Sequence, residues 1–207
     1  MRAFIYTGGT VYAEGVTERP EEGDLVIAAD AGLRNAEALG VVPAVLLGDF
    51  DSLGEPTVPK GCELIRVPVE KDYTDTQLAV DCAIERGARE LVIVGGLEGR
   101  LDHTLSTVAI LERLAERRIH AVITNGHNRV RFIRNGGVII PRSGYRFLSL
   151  IAADPVVKGV TVEGCKYPLK RARLRRTNQY AVSNEIEGNC ALVEIKRGGV
   201  WIIESND

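Results

Sequence analysis

The chain has 207 residues, 45% hydrophobic and 26% charged, and its 26 Lys and Arg against 28 Asp and Glu leave a formal charge of −2. That balance gives no reason to expect a nucleic-acid partner, and no apolar run approaches the roughly 20 residues of a membrane helix. Met1-Arg2-Ala3-Phe4 leads into a turn at Thr7-Gly8-Gly9 without the long apolar stretch of a signal peptide, so a cytoplasmic protein is expected.

Residues 1–137 carry 15 basic and 21 acidic side chains, whereas residues 138–207 carry 11 and 7. The texture changes at the same place. Leu25 to Ala29 reads as a buried strand, and Gly32 to Gly40 as a short helix closed by glycine. Ala44 to Leu47 and residues 63–67 read as two more strands. From Thr74 to Arg86, Leu78 and Cys82, and Ala79 and Ala83, recur at helical spacing, and Thr74 with Gln77 forms a capping-box pattern. Leu91 to Val94 is a strand. Leu101, Leu105, Val108 and Leu111 to Leu114 make an amphipathic helix ending in Arg117-Arg118, and Ala121 to Ile123 follows as a strand. Apolar strands without polar alternation, separated by helices, argue for a parallel sheet covered on both faces.

Beyond Asn135-Gly136-Gly137, the expected boundary, the helical signal stops. Segments 145–151, 156–162, 191–195 and 200–203 read as short strands, suggesting an antiparallel sandwich or half-barrel. The fold class is therefore α/β, with an N-terminal parallel-sheet domain over 1–137 and a smaller all-β domain over 138–207. Cys62, Cys82, Cys165 and Cys190 are widely spaced, and with His103, His120 and His127 they match no zinc template. They read as reduced, mostly buried thiols.

Six of the ten aspartates fall where an open α/β sheet binds its ligands, at the carboxyl ends of its strands. Asp30 and Asp49 end strands, Asp51 follows in Gly48-Asp49-Phe50-Asp51-Ser52, Asp72 and Asp75 flank a helix start, and Asp102 lies just after a strand. Each has a structural reading as well. Asp30, Asp72 or Asp102 can cap a helix, Asp75 suits a helix N-terminus, and Asp49 and Asp51 can brace a turn. Caps do not explain the paired Asp49-x-Asp51. Carboxylates gathered along one edge repel each other unless a cation sits among them, and Mg²⁺ with a phosphate substrate meets that need.

Gly95-Gly96-Leu97-Glu98-Gly99-Arg100 matches neither a Walker loop nor a dinucleotide fingerprint. Even so, Gly95, Gly96 and Gly99 between strand and helix let backbone N–H groups approach a nucleotide phosphate, and Arg100 adds a forked donor. His103 is a candidate substrate contact or proton shuttle. Lys170, Arg171, Arg173, Arg175 and Arg176 form a basic run whose alternation with Ala172 and Leu174 suits a strand with one wet face. Ser183-Asn184-Glu185 reads as a polar loop.

Asp30-Ala31-Gly32, Gly48-Asp49-Phe50-Asp51-Ser52, Lys71-Asp72-Tyr73-Thr74-Asp75, Gly95 to His103 and Ser183-Asn184-Glu185 occur in the order seen in thiamin pyrophosphokinases. With Lys166-Tyr167-Pro168-Leu169, the chain resembles the bacterial branch of that family from about residue 2 to 203. The resemblance implies an N-terminal domain holding Mg-ATP and a C-terminal domain completing the thiamin site across a homodimer interface. It also implies transfer of an intact diphosphoryl group from ATP to thiamin, giving thiamin diphosphate and AMP. Asp49, Asp51 and Asp75 would hold Mg²⁺, Asp30, Arg100 and Asp102 would line the site, and Ser183 and Asn184 would contact thiamin. Either Asp75 or Asp102 would take the hydroxyl proton. Three other readings fit the same residues. They are a pyrophosphokinase for another alcohol such as a hydroxymethyl-pterin, a sugar-nucleotide transferase using Asp49-x-Asp51, and a non-catalytic nucleotide-binding regulator.

Overall fold

The computed structural model describes residues 1–50, 57–70 and 72–207. Asp51, Ser52 and Lys71 of the sequence motifs lie outside the described residues. The chain forms two compact units, Met1–Gly126 and His127–Asp207.

The first unit contains β1 (Arg2–Tyr6), β2 (Leu25–Ala29), α1 (Gly32–Ala38), β3 (Val45–Gly48), β4 (Glu63–Arg66), α2 (Asp75–Glu85), β5 (Glu90–Val94), α3 (Leu101–Glu116) and β6 (His120–Thr124). All its strand pairs are parallel, in the order β4-β3-β2-β1-β5-β6. Strands β1, β2, β3 and β5 are buried nearly throughout, as the unbroken apolar runs predict. The outer strand β4 is largely exposed. Phe4, Tyr6, Val92 and Val94 pack with Ala36 of α1 in one apolar cluster.

Local chemistry sets the helix starts. The Thr74 hydroxyl accepts the Gln77 N–H at 3.2 Å, the first half of the expected capping box. Asp30 and Asp102 do not hold the cap positions: Ala31 and Arg100 do, neither with a side-chain capping bond. The helix α1 begins with glycine because a Cβ on Gly32 would sit 2.0 Å from the Tyr6 carbonyl oxygen. The apolar face of α3 is also turned from the expected one. Its buried residues are Thr107, Ile110, Leu111 and Leu114, while Leu101 and Leu105 are exposed.

An ion pair fastens the start of β1. Arg2 donates from Nε at 2.9 Å and Nη2 at 2.6 Å to Asp24, which also accepts the Glu21 N–H at 2.9 Å. Burial pushes the Asp24 carboxyl up, but these hydrogen bonds outweigh it and hold the group below its ordinary value of 3.8. A depressed pKa contributes stability above the unfolded value and loses it as pH falls through the folded one. Asp24→Asn should therefore cost roughly 1–2 kcal/mol at neutral pH. Urea unfolding of both proteins should show that gap closing as the pH falls below the range in which Asp24 ionises.

The second unit contains β7 (Asn128–Pro141), β8 (Phe147–Ala152), β9 (Val156–Glu163), β10 (Leu169–Arg175) and β11 (Cys190–Ser205), all paired antiparallel. The expected boundary at Asn135–Gly137 falls inside β7, where Gly136 and Gly137 pair with Ile195 and Glu194. The two strands expected at 191–195 and 200–203 are one strand, β11, with a register shift between Ile195 and Gly199. The first half of β11 pairs with β9 and its second half with β8. Their inward side chains, among them Ile140, Leu150, Val160, Leu174, Val193 and Ile202, form one core. The cysteines stand as separate thiols, and only Cys165 is buried, contrary to the expectation for most of them.

Candidate active site

In the first unit the chain runs from β1 outward through β2, β3 and β4, then crosses back to place β5 and β6 on the other side of β1. Connections therefore leave β1 and β5 in opposite directions, and open α/β sheets bind ligands at the carboxyl edge of such a switch point. A cavity of about 300 Å³ lies there, walled by Thr7–Gly9 after β1, Asp30 and Ala31 after β2, Thr74–Thr76 at the start of α2, and Gly96, Glu98, Gly99 and Arg100 after β5. His103 and Thr107 of α3 complete it.

The walls are tied to one another. Thr7 N–H donates to the Val94 carbonyl at 2.9 Å, and the Thr7 and Thr76 hydroxyls lie 2.6 Å apart. Asn35 of α1 donates to the carbonyls of Thr7 at 2.7 Å and Gly9 at 3.0 Å, which fixes the turn after β1. The Gly95 N–H donates to Thr124 and the Gly96 N–H to Gly8, both at 2.8 Å. These two amides, expected to face a phosphate, are thus spent inside the protein. Gly95 and Gly96 act instead by letting the loop lie against Thr7–Gly8. The Gly99 backbone, at φ +92° with open space beside it, keeps its place on the wall.

Asp30 and Asp75 both line the cavity. Asp49 stands at the next strand end, since a Cβ on Gly48 would be 3.1 Å from the Asp30 Cα and Cβ. Among the described residues no three acidic, His or Cys side chains form a metal-holding group, and the expected third member, Asp51, lies outside them. The donor set that is present is all oxygen, which suits a hard divalent cation.

Arg100 donates to Asp102 from Nε at 3.2 Å and Nη2 at 2.7 Å, and Asp102 also accepts the His103 N–H at 3.0 Å. The hydrogen bond from Arg100 lowers the Asp102 pKa and raises that of Arg100. Asp102 is exposed and does not wall the cavity, whereas Arg100 and His103 do. Glu98 accepts the Tyr12 hydroxyl at 3.0 Å, so its carboxylate is drawn to the side of the glycine loop. That hydrogen bond raises the Tyr12 pKa. Asn125-Gly126 has a packing role: Tyr12 N–H donates to the Asn125 carbonyl at 2.8 Å, and a Cβ on Gly126 would meet the Tyr12 oxygen at 2.1 Å. Sequence reasoning missed Thr7–Gly9, Thr76 and Asn35. The signal for the first was available, because Gly8-Gly9 follows an apolar strand as Gly95-Gly96 does.

In the second unit, Asn184 is buried and both ends of its amide are engaged. Its Oδ1 accepts Tyr167 N–H at 2.9 Å and Glu185 N–H at 3.0 Å, and its Nδ2 donates to the Tyr167 carbonyl at 2.8 Å. Asn184 therefore clasps the Tyr167 backbone beside an apolar cleft of about 250 Å³ that also includes Leu150, Tyr180 and Val182. Ser183 adopts φ +56° and donates its N–H to Ser149 Oγ at 2.9 Å.

Residues 18–123 match the family model for the thiamin pyrophosphokinase catalytic domain, and residues 138–200 match that for the thiamin pyrophosphokinase vitamin B1 binding domain. The thiamine pyrophosphokinase of Bacillus subtilis (strain 168) is 27% identical over 197 residues, covering 93% of this chain and 92% of that protein. A crystal structure of thiamine pyrophosphokinase from Bacillus subtilis superimposes with a TM-score of 0.88 at 24% identity over the whole of both chains, a likeness of fold. The thiamin pyrophosphokinase structure from Geobacillus thermodenitrificans gives 0.85 at 26% identity, covering all of this chain and 98% of the other. With both of its units matched in order by the two domain models, the chain belongs to the thiamin pyrophosphokinase family.

Proposed function

We infer that the chain transfers a diphosphoryl group to the primary alcohol of thiamin, with ATP as donor and AMP as the second product. The observation that carries this reading is the switch-point cavity, three of whose wall residues, Asp30, Asp75 and Arg100, lie within the segment that matches the catalytic-domain model. In this reading the parallel unit (with the segment up to residue 137) holds the nucleotide, and the sandwich-like β unit over 138–207 supplies the vitamin site. The homodimer and the cytoplasmic setting implied by the sequence belong to the same proposal.

Asp49 and Asp75, joined by Asp51 from outside the described residues, would hold Mg²⁺. The ion, when bound, neutralises phosphate charge and stabilises the charge that develops at the transferring phosphorus. The chain's own residues position the rest. Arg100, freed from Asp102 or shared with it, presents a fork to phosphate oxygens, while Asp30, Gly96 and Gly99 shape the wall that receives the nucleotide. As the thiamin oxygen bonds to the β-phosphorus, the bridge to the α-phosphate breaks and its electrons leave on AMP. The hydroxyl proton passes to a carboxylate. Asp75 suits that role better than Asp102, because Asp75 lines the cavity while Asp102, hydrogen-bonded to Arg100, stands exposed outside it. His103 lines the cavity as a substrate contact. In the β unit, Tyr167 and Tyr180 offer aromatic faces suited to a thiazolium cation. Ser183 and Asn184 act there by holding the loop that carries them.

The decisive assay measures AMP released from ATP with Mg²⁺ and either thiamin or a hydroxymethyl-pterin. AMP in step with thiamin diphosphate, and none with the pterin, is expected. Turnover with the pterin instead, or no ATP consumed over a panel of alcohols, would sink the reading in favour of a different pyrophosphokinase or a regulator.

A further inference from the structure

The second unit carries a feature that thiamin binding leaves unused. On adjacent strands, Lys158 of β9 stands directly opposite Arg173 of β10 and also opposite Arg197 of β11. Like charges placed directly across a strand pair destabilise a sheet, and here three fall in one row. With strands about 4.8 Å apart, the row spans about 10 Å. The pattern of burial fixes the direction of these side chains. Val157, Val160, Leu174 and Ile195 point into the core, while Lys158, Arg173 and Arg197 are exposed on the outer face.

Arg171 and Lys196 join them around an open depression of about 1100 Å³, whose floor includes Gly136 and Gly137. Glu194 lies on the same wall, leaving five cations against one carboxylate. Among the described residues none of the five cations forms an ion pair. A sheet face that breaks the cross-strand charge rule, with one carboxylate among five cations, is explained if the remaining compensation comes from outside the chain. The face repels a thiazolium cation, so it is unsuited to thiamin itself. A linear run of cations in a hollow suits a chain of phosphates, which Arg forks and Lys point charges can both engage.

We propose that the outer face of β9, β10 and β11 is a binding site for an oligophosphate chain, centred on Lys158, Arg173 and Arg197. The chain is either inorganic polyphosphate or the polyphosphate of a nucleotide. The basic run along β10 thereby acquires a partner class, in a unit other than the one that holds the catalytic cavity.

The test is calorimetric titration of the full chain, without divalent metal, with sodium tripolyphosphate in one arm and ATP in the other. The comparison is between the wild type, Lys158→Gln and the double variant Arg173→Gln/Arg197→Gln. Tripolyphosphate should bind the wild type, weaken as salt is raised, and bind Lys158→Gln at least about tenfold more weakly. An ATP event lost in Lys158→Gln alongside one retained at the catalytic cavity would identify a nucleotide chain as a ligand, whereas loss of the tripolyphosphate event alone would identify the inorganic one. Relief of repulsion gives a second readout that does not need ligand. Lys158→Gln should unfold at a higher temperature than the wild type at low salt, and the difference should shrink at high salt. Equal tripolyphosphate affinity in wild type and both variants would overturn the proposal. So would wild-type protein that binds no tripolyphosphate, or variants that fall from dimer to monomer without any change in anion binding, which would make this face a contact between copies of the chain.

Discussion

Asp75→Asn should lower kcat/KM for thiamin diphosphate formation by roughly 10²–10⁴-fold while leaving the protein folded. The substitution keeps the shape of the side chain and removes its charge and its capacity to accept a proton. Asp75 occupies the first turn of α2, so its charge also favours the helix N-terminus, but that is worth only about 0.3–1 kcal/mol. The Thr74 cap and the Thr7–Thr76 contact, which set the start of α2, do not involve its carboxylate. Activity and stability should therefore separate: a large kinetic loss with a small shift in the unfolding midpoint. Asp102→Asn supplies the contrast. It removes the partner of an exposed arginine, releases Arg100, and should cost far less turnover than Asp75→Asn. Rates measured by AMP release, with unfolding followed in parallel, check both. An Asp75→Asn enzyme that works at near wild-type rate would remove this carboxylate from the chemistry, and a larger loss in Asp102→Asn would transfer the proton to that residue.

The sequence exposed those parts of the fold that depend on neighbours in the chain. The apolar run Leu25–Ala29, the recurrence of Leu78 with Cys82, and the pairing of Thr74 with Gln77 are all local signals, and each element formed where they indicate. Strand order is different in kind. Nothing in Arg2–Tyr6 says that it will lie between β2 and β5, yet that placement creates the switch point and makes Thr7–Gly9 a wall of the cavity. The stretch Asn135-Gly136-Gly137 reads as a break because glycine weakens a strand. In β7 the ladder with β11 carries the backbone through it. Periodicity likewise put Leu101 and Leu105 on the inner face of α3, because two neighbouring stripes of that helix both repeat every three or four residues. Thr107 lies on the buried stripe and disguises it.

The candidate site divides along the same line. Carboxylates at strand ends could be listed from sequence because an aspartate after an apolar run is a local pattern. Their grouping could not, since only the sheet brings Asp30 beside Gly48 and onto the same cavity as Asp75. The glycine loop shows how a residue can be singled out for one reason and held for another. Gly96 lines the cavity and Gly95 precedes it, but their N–H groups are bonded to Thr124 and Gly8, not presented to an anion. A sequence displays that a residue lacks a side chain. It does not display which backbone fills the space.

That distinction makes Gly95→Ala the second large effect to expect. Gly95 has φ +102°, a conformation that costs an L side chain on the order of 1–3 kcal/mol. Its new Cβ would also lie 2.5 Å from the Thr7 carbonyl oxygen and 2.9 Å from that of Gly8, both backbone atoms with no rotamer to give way. Overpacking of this kind adds roughly 1–3 kcal/mol, so a total of roughly 2–6 kcal/mol is expected in urea unfolding. The loop can relieve the clash only by moving away from Thr7–Gly8, which would lengthen the Gly96 N–H bond to Gly8 and shift the wall that carries Arg100. Residual folded enzyme should then show a raised KM for ATP beyond what its reduced folded fraction explains. Gly99→Ala is the matched comparison, because that glycine also has positive φ, at +92°, but nothing surrounds its missing Cβ. It should show only the cost of the backbone conformation. Equal losses in the two variants would mean that strain alone, and not close packing of the two loops, explains the glycine at position 95.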